Sequence, residues 1–203
     1  MAFYEFYLHL KGWQTVIGAI LGFGALTWGA LYNYHLGRRR DDAVREKEAT
    51  SVALGLYSEI NLISKELAKL ANSVGRWYMR TGVSGGSLPA HYSGSFVLPD
   101  ATLFKALAAK VGMLSPDVLM PITRFYGYYS EVLIHFPKIL EDDQRGISYG
   151  AEWVLSPAIS AIDEVQTALR EIERIGGITT PASVPDLQKA QKAVKLANDV
   201  NDF

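Results

Sequence analysis

The spacing of apolar and charged positions divides the first 80 residues into three regimes. From Gly12 to Leu36 there is no Asp, Glu, Lys or Arg, and the apolar centre from Val16 to Leu31 is extended by Trp13 on one side and by Tyr32 and Tyr34 on the other. About 22 helical residues at about 1.5 Å each reach about 33 Å, enough to cross a hydrocarbon layer of about 30 Å, so residues 13–36 are expected to form a transmembrane helix. Residues 37–50 are dense in charge of both signs and read as a solvated stalk. Beyond it Val52, Leu56, Ile60, Ile63, Leu67, Leu70, Val74 and Trp77 recur by threes and fours, which marks a helix with one apolar stripe. No proline interrupts residues 38–88, so one helix is predicted to continue from the span to about Tyr78. The spacing is compatible with a coiled coil, but Leu54, Tyr57 and Leu62 widen the stripe, as in a helix packed inside a bundle.

The rest of the chain alternates helical patterns with breakers. Residues 80–99 are rich in Gly, Ser and Pro and read as a long loop; Ser84-Gly85-Gly86-Ser87 lacks the Lys-Ser/Thr that a phosphate cradle needs. Asp100 is a candidate cap for a short helix with Leu103, Phe104, Leu107 and Val111, which stops at Gly112. Ser115-Pro116-Asp117 starts the next, running through Phe125, Tyr126, Tyr129, Leu133 and Phe136. Trp153, Ile159, Ile162, Val165, Leu169 and Ile172 predict the buried face of a helix over 148–175, ended by Gly176-Gly177. Leu187, Ala190, Val194 and Ala197 predict a weakly apolar last helix within 185–200. The fold class expected is all-α: one transmembrane helix continuing into a bundle of about four to five helices, with residues 51–203 as its domain.

Charge around the span sets the expected orientation. Lys11 precedes it, whereas Arg38, Arg39, Arg40, Arg45 and Lys47 follow, so the C-terminal side is placed in the cytoplasm. Residues 1–12 then lie outside, where Phe3, Tyr4, Phe6 and Tyr7 suit the headgroup layer. A cleaved signal peptide carries its basic residues before the apolar run, the reverse of what stands here. Trp13, Tyr32, Tyr34, Arg38, Arg39 and Arg40 are the expected anchors at the two interfaces. Gly18, Gly22, Ala25 and Gly29 follow steps of four, three and four and share one helical face. Small residues at this spacing let a second helix approach closely, which predicts a homo-oligomer, although glycine and alanine are also common in such helices.

Composition changes the picture in what it leaves out. With 20 basic and 21 acidic side chains, the formal net charge is −1, so no overall field recruits nucleic acid and none is expected as a partner; any protein partner is recognised locally. Lys189, Lys192 and Lys195 share a side of the last helix and read as a solvated face. There is no cysteine. His9, His35, His91 and His135 are scattered without ligand spacing, and no GxSxG, Walker or dinucleotide motif occurs, so no catalytic residue, metal or cofactor is expected. The string Arg124-Phe125-Tyr126-Gly127-Tyr128-Tyr129 concentrates aromatics beside an arginine; Arg124, Phe125, Tyr126, Tyr128 and Tyr129 are either a partner surface or core.

The strings Trp13-Gln14-Thr15-Val16-Ile17-Gly18, Gly112-Met113-Leu114-Ser115-Pro116 and Arg124-Phe125-Tyr126 carry a resemblance. The chain resembles uncharacterised bacterial single-pass membrane proteins with a short outside N-terminus and a helical cytoplasmic domain. That resemblance implies an inner-membrane setting and transfers no activity or site residue. The function expected is a membrane-tethered interaction or scaffolding module that is not an enzyme, self-associates through its anchor and meets a protein partner and the lipid bilayer. A membrane-perturbing effector and a tethered enzyme with a dispersed site are the alternatives.

Overall fold

The computed structural model of the chain describes residues 2–81, 88, 96–141 and 147–201. Most of the expected 80–99 loop lies outside the described residues, as do residues 142–146. Among the described residues five helices make up the regular structure: α1 (Ala2–Thr81), α2 (Thr102–Val111), α3 (Pro116–Glu141), α4 (Ile147–Gly176) and α5 (Gln188–Asn201). No strand occurs among the described residues, so the fold is all-α. Packing divides the chain into two units, Met1–Lys47 and Glu48–Phe203.

The second unit is built on the C-terminal part of α1. Leu56, Ile60, Ile63, Leu67, Leu70 and Val74 are completely buried, on the stripe that the three-four spacing marked. Each such aliphatic side chain contributes roughly 1.5–3 kcal/mol relative to exposure. Against this stripe lie Ile122, Phe125 and Val132 of α3 and Val154, Ala158, Ile162, Val165 and Ile172 of α4, in one continuous core. Helix α5 adds mainly alanines: Ala190, Ala193 and Ala197.

Two glycines are required by this packing. Gly177 adopts φ +64°, and the N–H of Ile178 reaches back to the Glu173 carbonyl at 2.9 Å, so α4 closes with the left-handed glycine turn that its Gly-Gly end predicted. Gly75 faces the start of α5 so closely that a Cβ there would stand 2.8 Å from the Lys189 carbonyl oxygen and 2.9 Å from the Ala190 Cα. Those are backbone atoms, which cannot swing aside as a side-chain tip can.

Several positions expected in the core are at the surface instead. Trp153 is 45% exposed and Leu62 54%, while Leu103 lies on the open side of α2. Leu62 and Trp153 stand beyond the buried arcs of their helices and Leu103 at the margin of its own, so an apolar side chain at these positions is no sign of burial. Trp153 packs its ring on His135, with centroids 4.7 Å apart.

Two glycine substitutions are expected to act in opposite directions. Gly75→Ala forces α5 away from α1 and costs about 1–3 kcal/mol, as overpacking does. Gly127 stands on the exposed side of α3 with nothing within 4 Å of a Cβ, so Gly127→Ala is expected to stabilise by about 0.5–1 kcal/mol. Chemical denaturation of the detergent-solubilised protein, followed by helical circular dichroism, reads both signs.

Candidate functional site

Two features stand out among the described residues: an exposed apolar length of α1, and a set of buried polar groups in the domain. In the first unit every described side chain from Val16 to Leu36 is exposed or nearly so; Phe23, Leu26 and Trp28 are about three-quarters exposed. The mean hydropathy of this window reaches 1.4, and none of it is buried within the protein. A contiguous apolar surface of this length is unfavourable in water and fits a hydrocarbon environment, which makes this part of α1 a candidate membrane span. Its Thr27 hydroxyl donates to the Phe23 carbonyl at 2.8 Å, so that side chain carries no unsatisfied donor into an apolar surrounding.

The residues predicted to work at the span fall as follows. Gly18, Gly22, Ala25 and Gly29 are on an open helical face, and a Cβ added at any of the three glycines would meet nothing within 4 Å. Trp13, Tyr32 and Tyr34 are exposed, as are Arg38, Arg39 and Arg40. The Arg38 guanidinium sits over the Tyr34 ring, 5.8 Å from its centroid, joining an aromatic and a cation in one contact.

In the domain, a carboxylate on the apolar face of α1 holds the start of another helix. Glu59 is only 7% exposed. It accepts hydrogen bonds from the Leu103 N–H at 2.6 Å, the Phe104 N–H at 3.0 Å and the Tyr126 hydroxyl at 2.6 Å. These amides belong to the first turn of α2, whose own cap residue, Ala101, offers no side-chain hydrogen bond. Glu59 therefore does from 44 and 45 positions away what a local Asp or Ser usually does, at the positive end of the helix. Asp100, the expected cap, pairs with Lys105 at 2.8 Å instead. Tyr126 stacks on Phe104 with centroids 3.9 Å apart. Burial, and then the bond to Glu59, push the Tyr126 phenol far above its ordinary range, so it remains a donor. Burial likewise pushes Tyr129 up to about 12, and its hydroxyl donates to the Pro99 carbonyl, fixing the strand of chain that enters α2.

A second carboxylate, Glu173 of α4, is also 7% exposed and accepts four hydrogen-bond contacts from three donors. It receives the Tyr57 hydroxyl at 2.8 Å, the Ala182 N–H at 3.1 Å and Arg170 Nη1 at 2.8 and 3.0 Å to its two oxygens. Burial alone raises its pKa; the hydrogen bonds from Arg170, Tyr57 and Ala182 outweigh that and hold the carboxyl below the usual range. The connector between α4 and α5 is thereby pinned at Ala182. Further along, Asn72 of α1 donates to the Asp186 carbonyl at 2.6 Å and accepts from the Lys189 and Ala190 N–H groups at 3.1 and 3.3 Å, capping α5.

These polar groups bond to helix amides, hydroxyls and connector backbone, and in that way hold the fold. No group of three or more His, Cys, Asp or Glu is placed to hold a metal among the described residues. An apolar groove of about 280 Å³ lies between the 96–98 segment and α3, lined by Phe96, Leu98, Leu133, Phe136, Pro137 and Leu140. The aromatic string divides: Phe125, Tyr126 and Tyr129 are buried on the inward side of α3, the core alternative of the two that the string offered. Arg124 is exposed and pairs with Glu164 at 3.4 Å, and the half-buried Tyr128 donates to the same carboxylate at 3.0 Å. Glu59, Tyr57, Asn72 and Glu173 are absent from the expected site residues. Their signal was a polar residue inside an apolar stripe: Glu59 stands between Leu56 and Ile63 at helical spacing.

Glu59→Ala is expected to cost about 3 kcal/mol, since it strands two helix amides and a buried hydroxyl, and Tyr126→Phe about 1 kcal/mol. Combined, they are expected to cost clearly less than the sum, because the phenol stranded by the first change is removed by the second. Urea titration of the four proteins measures the coupling. Glu173 supplies a pH test. A carboxyl with a depressed folded pKa stabilises above its unfolded value, about 4.3, and that stability is lost as pH falls through the folded value. Glu173→Gln is thus expected to be less stable than the parent at pH 7, with the difference closing below about pH 4 as the parent's own carboxyl is protonated.

Comparison with known proteins adds no assignment to this geometry: no family model matches the chain, and no curated protein or solved structure is significantly similar to it.

Proposed function

We propose that the chain is a membrane-tethered helical interaction module, inserted in a bacterial inner membrane through residues 13–36, with its helical domain in the cytoplasm and its anchors self-associated. The observation that carries the tether is the uncovered apolar length of α1, none of which is buried by the rest of the protein. The cations Arg38, Arg39 and Arg40 after the span support the orientation. Support for self-association comes from the open face at Gly18, Gly22, Ala25 and Gly29, where the backbone is bare to a neighbouring helix. In the domain the buried carboxylates have structural partners, which favours a role exercised through its surfaces over one exercised through a reactive centre.

A reporter active only in the cytoplasm is expected to work when fused after Phe203 and to fail before Met1; the reverse pattern overturns the orientation. Gly22→Ile is expected to stay in the membrane fraction, because isoleucine favours the bilayer, yet to lose crosslinked dimers of the span. Ile20→Ala is the control, at a position outside the small-residue face. If the two variants crosslink alike, the self-association falls. If expression of the parent permeabilises cells and Gly22→Ile abolishes that, the membrane-perturbing alternative takes its place.

A further inference from the structure

The outward face of α1 in the domain carries a row of cations. Lys65, Lys69, Arg76 and Arg80 are all exposed and fall within one narrow sector opposite the buried stripe. At about 1.5 Å per residue the row is about 22 Å long. Lys69 has one acidic neighbour, Glu66 at 2.6 Å; the other three have no ion pair among the described residues. Asn72 lies beside this row and caps α5, so the first turn of α5 is seated next to it. From α5 the exposed side chains of Lys189, Lys192 and Lys195 add to the positive charge.

The carboxylates near these cations are few. On α1 beyond Leu62 and on α5 with its entry, the described acids are Glu66, Asp186 and Asp199, against the seven cations named. Asp186 is engaged in turn with the Gln188 N–H at 3.0 Å. The chain from Thr81 to Pro99, which follows Arg80, contains no Asp or Glu. In a protein with a formal net charge of −1, seven of the 20 basic side chains thus stand on this part of α1 and on α5, with few acids on the same two elements. The fold gains nothing visible from this: the row touches no buried group, and exposed ion pairs contribute little in any case.

We propose that this α1/α5 face docks an acidic, helical segment of a protein partner. Cations spaced by four along a helix meet carboxylates spaced by four on another, and the two arginines can engage them in forked pairs. The exposed Leu62, one turn before Lys65, offers an apolar contact at the end of the row. A nucleic acid fits less well, because the neighbouring aromatics Trp77 and Tyr78 are buried and supply no stacking platform, and the net charge gives no long-range attraction. A lipid surface fits less well too, since the apolar faces of α1 and α5 here are turned into the core and leave no wedge to insert. The proposal rests on reading the domain as an interaction module, and it is independent of whether the anchor self-associates.

The test uses the full chain in nanodiscs of zwitterionic lipid and a fluorescent 20-residue helical peptide with glutamates at every fourth and third position. Its glutamine counterpart, a 20-base-pair DNA and phosphatidylglycerol vesicles are run beside it. The glutamate peptide is expected to bind, and Lys65→Gln, Lys69→Gln, Arg76→Gln and Arg80→Gln together to weaken it at least tenfold with unchanged helical content. Neutralising four cations elsewhere, Lys105, Lys110, Arg124 and Lys138, is expected to change affinity less than threefold. Equal losses in the two sets reduce the effect to net charge and overturn the proposal. So does tighter binding of the DNA or the vesicles than of the peptide, or no peptide binding at 50 mM salt. None of these outcomes alters the fractionation and crosslinking results that test the tether.

Discussion

A carboxylate on the apolar face of a helix must find donors or be forced out of the core, because an unpaired buried charge costs several kcal/mol. Glu59 finds its donors in the first turn of α2 and in Tyr126, and three elements are thereby fixed by one side chain. The bond to Tyr126 ties α3 to α1, the stacking of Tyr126 on Phe104 ties α3 to α2, and the charge meets the positive end of α2 where no local cap exists. Helix α2 buries Val111 and packs the half-buried Phe104 and Leu107 on the core, so the carboxylate fixes its first turn and apolar contact the rest.

The same logic recurs along α1. Tyr57 meets Glu173 and holds the connector at Ala182, and Asn72 caps α5. Helix α5 has a face of alanines, each burying little area, so its place is set by hydrogen bonds at its start and by the close approach at Gly75. Ser64, Ala68, Ala71 and Gly75 repeat the four-three-four spacing of Gly18, Gly22, Ala25 and Gly29. In the domain that small-residue face is buried, and at Gly75 its neighbour is a helix backbone. In the first unit the corresponding face is open. One spacing rule describes both, and among the described residues the domain copy is the one that is covered.

Much of the fold was legible because it follows from periodicity. The α1 stripe, the starts at Ser115-Pro116 and the stop at Gly176-Gly177 were marked by local chemistry that needs no tertiary context. What escaped were interactions between distant positions. Glu59 and Asn72 look like tolerated polar residues until the amides they serve are brought beside them, and Asp100 looks like a cap until Lys105 claims it. Trp153 was misplaced for a different reason: a large aromatic at the edge of an arc is assigned inward by size, while its geometry lets it cover His135 from outside. Phe125, Tyr126 and Tyr129 show the converse, since a cluster that suggested a contact surface is consumed by the core.

With those aromatics inside, the surface chemistry left to the domain is charge, the apolar groove beside Leu133 and Pro137, and scattered apolar side chains. Charge is cheap to display and is screened within about 8–10 Å at ordinary ionic strength, so it discriminates partners by pattern at close range. A helix whose inner face is held by apolar packing and polar caps presents its outer face at fixed spacing, with little reorganisation needed on contact. In α1 the inner positions Leu56 to Val74 supply the rigidity, and the outer positions Lys65 to Arg80 carry the pattern. Changes to the first set are therefore expected to alter stability, and changes to the second to alter recognition, because the two sets share a backbone and no side-chain contact between them is needed for either role.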